Sequence, residues 1–391
     1  MPDRPPRVAF LLPGLGSVER GAERALIEVA SGLQERHGWA VELFGRGPDF
    51  PSHLTGHAVP CINRRRFEAF PKVPALRSEY AYEELTFAVS LKASRLFDPS
   101  RFDVAVHCSY PFINWMLSRI PERRRPLRLF VTQNGDWMCR RINSEYRAFR
   151  CDGLVAINPE YHERHRETYP TVLIPNGVHP ERFAFEPRGG GEPSRKRRVL
   201  MVSALIESKR VEAGIRALAR IPDADLTIIG DGPLREELSQ LAHELMPYRS
   251  RLVRSVSHDE MAAHYAAADC FLHTSQVEPF GIVYLEAAAA GCPVVAHNGP
   301  TQRWILGDAA VLADTDDVDA LSDAVRSALR PGTASKLSLA ARDRVEDRFA
   351  WPDLVDRYAA FIEERLAARR GDALANSLSS SRGHRRDLET P

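Results

Sequence analysis

Short apolar runs separated by amphipathic stretches recur along the chain in two series, and no other feature narrows its fold as much. The first series comprises residues 8–12, 41–44, 104–107, 128–132, 153–157 and 172–174, with amphipathic segments such as 23–35 and 82–96 between them. The second comprises 199–202, 226–229, 252–254, 270–273, 294–296 and 310–312. That alternation predicts, for each series, a parallel sheet covered by helices. A length of 391 residues with 44% hydrophobic content is ample for two such cores. The Gly-rich, charged stretch from Arg188 through Gly189, Gly190 and Gly191 to Ser194 reads as a flexible linker between them. The expected organisation is a first domain over 1–185, a linker over 186–197 and a second domain over 198–350. A helix over 351–370 follows, crossing back toward the first domain, and then a disordered Ser/Arg/Gly-rich tail over 371–391.

Charge excludes one broad class of partner. Lys and Arg total 53 against 52 Asp and Glu, a net charge of +1, which supplies no global attraction for nucleic acid. Arg64-Arg65-Arg66 and Arg123-Arg124-Arg125, followed by Arg128, are local exceptions. They suit solvated loops first, and also an anionic membrane surface or an acidic acceptor. The six cysteines show no Cys-x-x-Cys spacing, so a reducing compartment is expected. No apolar stretch approaches the ~20 residues of a membrane span, and the run at 8–12 is short for a signal-peptide core. The expected location is cytoplasmic, with any membrane contact peripheral and made through the basic loops.

Two carboxylates bracket the predicted start of a helix in Glu278-Pro279-Phe280-Gly281-Ile282-Val283-Tyr284-Leu285-Glu286. A strand over 270–275 leads into a loop holding Glu278, and a helix over 281–290 follows, with Pro279 suited to its first turn. Backbone N–H groups of Phe280, Gly281 and Ile282 at the positive helix end would receive a diphosphate, the glycine allowing close approach. Glu286 lies about 7–8 Å up the axis at ~1.5 Å per residue, where a carboxylate accepts ribose hydroxyls. Glu278 would then meet the sugar. A capping acid and a surface glutamate account for either residue taken singly.

Lys209-Arg210 follows the strand and loop 199–205 as the next helix begins, and a cation there neutralises a leaving diphosphate. Gly230-Asp231-Gly232-Pro233 is a strand ending in a tight turn. In the first domain, the loop 13–23 places Gly21 where backbone approaches a phosphate; its Gly14-x-Gly16 is a weak dinucleotide signal. His107 closes a strand, where it either faces an acceptor or is a satisfied polar residue. Asp223-Ala224-Asp225 has the form of a divalent-cation motif but precedes a strand, so it reads as a turn, and no metal site is expected.

The stretch from Glu278 to Glu286, continued by Ala287-Ala288-Ala289-Ala290-Gly291-Cys292-Pro293, resembles the signature of the retaining glycosyltransferases of family four. Ile174-Pro175-Asn176-Gly177-Val178-His179-Pro180 resembles that family's end of the first domain, and Gly230-Asp231-Gly232-Pro233 resembles its second-domain turn. The resemblance implies an α/β GT-B fold of two Rossmann-like, doubly wound parallel-sheet domains facing a central cleft. It implies donor-sugar contacts by Glu278, ribose contacts by Glu286, and phosphate and sugar held by the backbone of Phe280, Gly281, Ile282 and Val283. The position of Lys209 holds the diphosphate, and that of Gly21 completes the phosphate site. Where many relatives carry Gly-Arg-Leu this chain has Ser203-Ala204-Leu205, so Arg210 or Arg20 is the substitute cation. Where many carry His it has Asn134, whose neutral amide cannot serve as a base.

The implied activity is hexosyl transfer from a nucleotide sugar to an acceptor hydroxyl with α configuration, independent of metal and cofactor. The arginine clusters, with Phe67, Phe70, Trp115 and Trp137, point to cell-envelope glycan or lipid-linked acceptors, and a soluble small molecule also fits. A nucleotide-sugar epimerase and a phosphorylase share the two-domain pattern; a pyridoxal-dependent phosphorylase would need Lys209 for its Schiff base.

Overall fold

The computed structural model describes residues 4–18, 20–63, 79–109, 111–134, 149–189, 196–254 and 256–386. The chain divides into two compact units, Met1–Ile174 with Pro352–Pro391, and Pro175–Trp351. The division therefore falls at Ile174, ahead of the predicted linker. Arg188 explains part of this, since its guanidinium donates to the main-chain carbonyls of Ala268 at 2.9 Å and Ala266 at 2.8 Å, anchoring that stretch to the second unit. Residues 190–195 of the predicted linker lie outside the described residues.

The first unit holds β1 (Arg7–Leu11), β2 (Ala40–Gly45), β3 (Thr55–Ala58), β4 (Val104–His107), β5 (Leu127–Val131), β6 (Gly153–Ala156) and β7 (Thr171–Leu173). Their order across the sheet is β3-β2-β1-β4-β5-β6-β7, and every pairing is parallel. Val8, Ala9, Phe10 and Leu11 are fully buried, as expected of a central strand covered on both faces. Only β3 escapes the apolar pattern. Its sequence Thr-Gly-His-Ala is largely exposed and pairs solely with β2, so an edge position demands no hydrophobic signature.

A long helix, Trp351–Arg386, closes the first unit. It runs past Gly371, where composition predicts disorder, and its Ala373, Leu374 and Ala375 are strong helix formers. Val355 packs against Gly32 so closely that a Cβ there would lie 2.5 Å from Val355 Cγ2. Asp356 pairs with Arg36 at 2.7 Å, and Arg365 Nε donates to the carbonyl of Asp152 at 3.1 Å.

The second unit holds β8 (Arg197–Val202), β9 (Ala224–Ile229), β10 (Ser250–Val253), β11 (Cys270–His273), β12 (Val294–His297) and β13 (Ala310–Ala313). Their order is β10-β9-β8-β11-β12-β13. The chain winds outward from β8 in one direction and from β11 in the other. The crevice outside the carboxyl ends of those two neighbours is the switch point at which doubly wound sheets bind ligands. In the first unit the equivalent point lies between β1 and β4.

Candidate active site

Two loops leave the switch point of the second sheet. One follows β8 and carries the 3-10 turn Glu207–Lys209; the other follows β11 and carries Glu278. Side chains of the second loop lace it to the backbone of the first. Thr274 Oγ1 lies 3.0 Å from the Lys209 carbonyl and 2.8 Å from that of Arg210, and Ser275 Oγ donates to the Ser208 carbonyl at 3.3 Å. Arg210 sits in the left-handed region at φ 53°, a cost for a residue with a Cβ that these contacts help to offset.

The Gly-Asp-Gly turn after β9 supports the same loop from below. A Cβ on Gly230 would stand 1.8 Å from the Ser203 carbonyl oxygen, and one on Gly232 would stand 2.4 Å from that of Leu205. The backbone N–H of Leu205 donates to the Asp231 carbonyl at 2.9 Å. These glycines act by letting two loops touch, and this touch sets the height of Lys209.

Lys209 and Glu278 form a direct ion pair. The carboxylate is almost buried, 8% exposed in its side chain, and the ammonium less so at 22%. A third residue, unforeseen in the sequence, completes the cluster. His273 ends β11 with its Nε2 3.5 Å from Glu278 Oε1. Its Nδ1 accepts the Ser275 N–H at 3.4 Å and stands 3.3 Å from Tyr284 Oη. A proton on Nε2, facing the carboxylate, satisfies both ring nitrogens. Burial pulls the His273 pKa down to about 4; Glu278 opposes that shift and Lys209 adds to it. The ring is neutral near pH 7, so the local charge is that of Lys209 and Glu278. The available signal was a histidine at the last position of a buried strand just ahead of the acidic loop.

Helix Ile282–Ala289 begins one residue later than expected, and Pro279 lies outside it. Gly281 explains both, because it turns the chain at φ 91° immediately before the first helical residue. A Cβ there would also meet Tyr284 Cε2 at 2.5 Å. Phe280 is buried, with its ring 6.2 Å from those of both Trp304 and Phe349, which pins the loop to the unit's interior. Ile282 and Val283 are half-buried at the amino end of the helix. Glu286, one turn on, is only 5% exposed and accepts a hydrogen bond from Tyr265 Oη at 2.9 Å. Arg210, the expected substitute cation, pairs with the exposed Asp316, which also receives Gln276 Nε2 at 2.7 Å.

In the first unit the predicted residues gather less closely. Gly21 opens the helix Gly21–His37 and is exposed, and Arg20 precedes it as the N-terminal flanking residue. Asn134 ends the 3-10 turn Thr132–Asn134 after β5, and its side chain, like residues 135–148, lies outside the described residues. His107 is fully buried and does not present its ring to an acceptor. Its Nδ1 donates to the Ser109 carbonyl at 3.2 Å, Phe130 lies edge-on at 5.1 Å, and burial holds its pKa down to about 4. Arg64–Arg66, Phe67, Phe70 and Trp137 also fall outside the described residues. Arg123–Arg125 precede β5, at the sheet edge opposite the switch point. Among the described residues, no helix is long and apolar enough to cross a membrane.

The fold is that of the GT-B glycosyltransferases. A solved structure of sucrose-phosphate synthase from Thermosynechococcus elongatus matches with a TM-score of 0.74, covering 93% of this chain and 100% of that chain at 21% identity. Sequence takes the assignment further. Residues 20–182 match the model described as Glycosyltransferase Family 4, and residues 183–344 match Glycosyl transferases group 1. Together the two models cover residues 20–344 and support a glycosyltransferase of family-four type. It is 33% identical over 221 residues to a GDP-mannose-dependent alpha-(1-6)-phosphatidylinositol monomannoside mannosyltransferase of Mycolicibacterium smegmatis, covering 50% of this chain and 57% of that protein. It is 36% identical over 212 residues to a glycogen synthase of Mycobacterium tuberculosis, covering 51% of this chain and 49% of that protein. The chain thus spans about half the length of these curated relatives.

Proposed function

We propose that this protein transfers a hexosyl group from a nucleotide-sugar donor to an acceptor hydroxyl, retaining the α configuration at the anomeric carbon. The observation that carries the reading is the Lys209–Glu278 pair at the switch point of the second sheet, beside the amino end of helix Ile282–Ala289. Without ligand, each charge is the other's partner. A bound donor would part them, its diphosphate drawing Lys209 and its sugar hydroxyls donating to Glu278. Glu286, oriented by Tyr265, would accept from the ribose.

As the anomeric C–O bond breaks, negative charge accumulates on the departing diphosphate. The Lys209 ammonium and the helix N–H groups stabilise that charge more in the transition state than in the ground state. The acceptor oxygen bonds to the anomeric carbon from the leaving-group face, and its proton passes to a phosphate oxygen. No protein base, metal ion or cofactor enters this route. Asn134 and the neutral, buried His107 are compatible with it because neither is asked to take a proton. The names of the similar proteins, a phosphatidylinositol monomannoside mannosyltransferase and a glycogen synthase, favour a glycolipid or polysaccharide as the acceptor class.

A screen of nucleotide sugars, reading released nucleoside diphosphate and then the product anomer by NMR, tests this function. An α-linked product formed equally well in EDTA is expected. A β-linked product from an α-configured donor would overturn the mechanism.

A further inference from the structure

The opposite edge of the first sheet holds a feature that sugar transfer does not use. A cavity of about 910 Å³ opens at the amino ends of β5, β6 and β7. Arg123 and Arg125 line it from the turn before β5, Asp152 from the turn before β6, and Arg365 and Arg369 from helix Trp351–Arg386. Four guanidiniums from two separate parts of the chain therefore share one concave space.

Against these four cations the lining sets two carboxylates, Glu122 and Asp152. Asp152 is already engaged by Arg128, with Nε 2.9 Å from Oδ2, Nη2 2.7 Å from Oδ1 and the backbone N–H 2.8 Å from Oδ2. Arg369 Nη2 donates to the carbonyls of Glu122 at 3.0 Å and Arg125 at 2.6 Å, and Arg365 Nε to that of Asp152 at 3.1 Å. Carbonyls fix the direction of a guanidinium without neutralising it. The nearest carboxylate to Arg365 is that of exposed Glu364, 3.5 Å from Nη1. Arg125 Nε is buried with no hydrogen-bond partner among the described residues, and burial, reinforced by Arg128, holds the Arg125 pKa below its usual value. Oriented guanidiniums with unspent donors around a pocket of ligand size form a site for a planar or tetrahedral oxyanion.

We propose that this cavity binds a phosphoryl group, as a phosphate monoester or diester, at the amino edge of the first sheet and apart from the donor site. Such an anion would bridge Arg123 and Arg125 to Arg365 and Arg369, clamping the final helix to the turn before β5. The chemistry is common to a soluble phosphorylated metabolite and to a phospholipid headgroup.

The test uses the full chain carrying Lys209→Ala, which removes the donor-site cation, and titrates it calorimetrically with inorganic pyrophosphate. One binding event is expected, weakened at least tenfold by adding Arg123→Glu or Arg369→Glu. Arg123 is exposed and has no ion-pair partner among the described residues, so its variant should melt with the parent and report on binding alone. In parallel, sedimentation with phosphatidylglycerol vesicles against phosphatidylcholine vesicles identifies the source. Vesicle binding displaced by pyrophosphate assigns a headgroup, and pyrophosphate binding without vesicle binding assigns a soluble ligand. Absence of both, or binding unaffected by Arg123→Glu and Arg369→Glu, overturns the proposal. The readout is ligand binding by the first unit, so it stands or falls separately from sugar transfer.

Discussion

His273 Nε2 lies 3.5 Å from the Glu278 carboxylate that also pairs with Lys209, although Lys209 and Glu278 are 69 residues apart in the chain. Strand β11 delivers the histidine and the loop after it delivers the glutamate. The β8 loop, raised on the Gly230–Gly232 turn, delivers the lysine. The site is thus a product of the switch in strand order, and a neutral imidazole stands beside its charged pair.

That neutrality makes stability depend on pH. His107 and His273 are both held at about 4 in the folded chain against an ordinary 6.5, so between those values the unfolded chain binds more protons. Each histidine therefore withdraws about 1.4 kcal/mol of stability per pH unit as pH falls from 6.5 toward 4. Glu84, buried beneath the backbone N–H of Ile113, has the opposite sign. Burial raises its pKa from 4.5 to about 8, so its contribution is complete below 4.5 and is lost as pH rises through 8. Denaturant melts across pH 4–8 should show a maximum near 6.5. Glu84→Gln should flatten the alkaline limb and His273→Gln should shallow the acid limb; unchanged limbs in both would refute the assignment.

Gly281→Ala places a Cβ against the Tyr284 ring at a positive φ. A loss of about 1–3 kcal/mol in stability is expected from the strained backbone. Because Glu278 and the helix start move together, turnover should fall as well. A variant with full stability and full activity would show that the turn is not required.

Tyr265→Phe removes one hydrogen-bond donor to Glu286 while keeping the ring packed. Losing one hydrogen bond to a buried carboxylate costs about 1.5–3 kcal/mol. If Glu286 holds the ribose, the variant should raise KM for the donor more than it lowers kcat. A purely structural hydrogen bond would lower stability and leave KM unchanged.

How much of this could be read from the sequence depended on burial. Strands covered on both faces announce themselves as apolar runs, and β1, β4, β8 and β11 appear within a residue or two of their expected bounds. The exposed edge strand β3 carries no such mark. Glu278 was legible as a loop acid before a helix, yet Pro279 fell outside that helix because Gly281 bends the chain after it. His273, Tyr265 and the Asp316 partner of Arg210 came from sequentially distant or unpatterned positions, and only the folded sheet brings them to their partners. The two compact units divide at Ile174, ahead of the Gly-rich stretch, whose start Arg188 fastens to carbonyls of the second unit.

The central claim is that Lys209 and Glu278 divide a nucleotide sugar between them. Its most direct test is steady-state kinetics of Lys209→Ala and Glu278→Gln with the donor identified by the screen, alongside melting curves to establish folding. Each variant should fold and lose roughly 10²–10³ in kcat, the scale set by removing one preorganised electrostatic contact. Turnover near that of the unaltered protein in both variants would contradict the account.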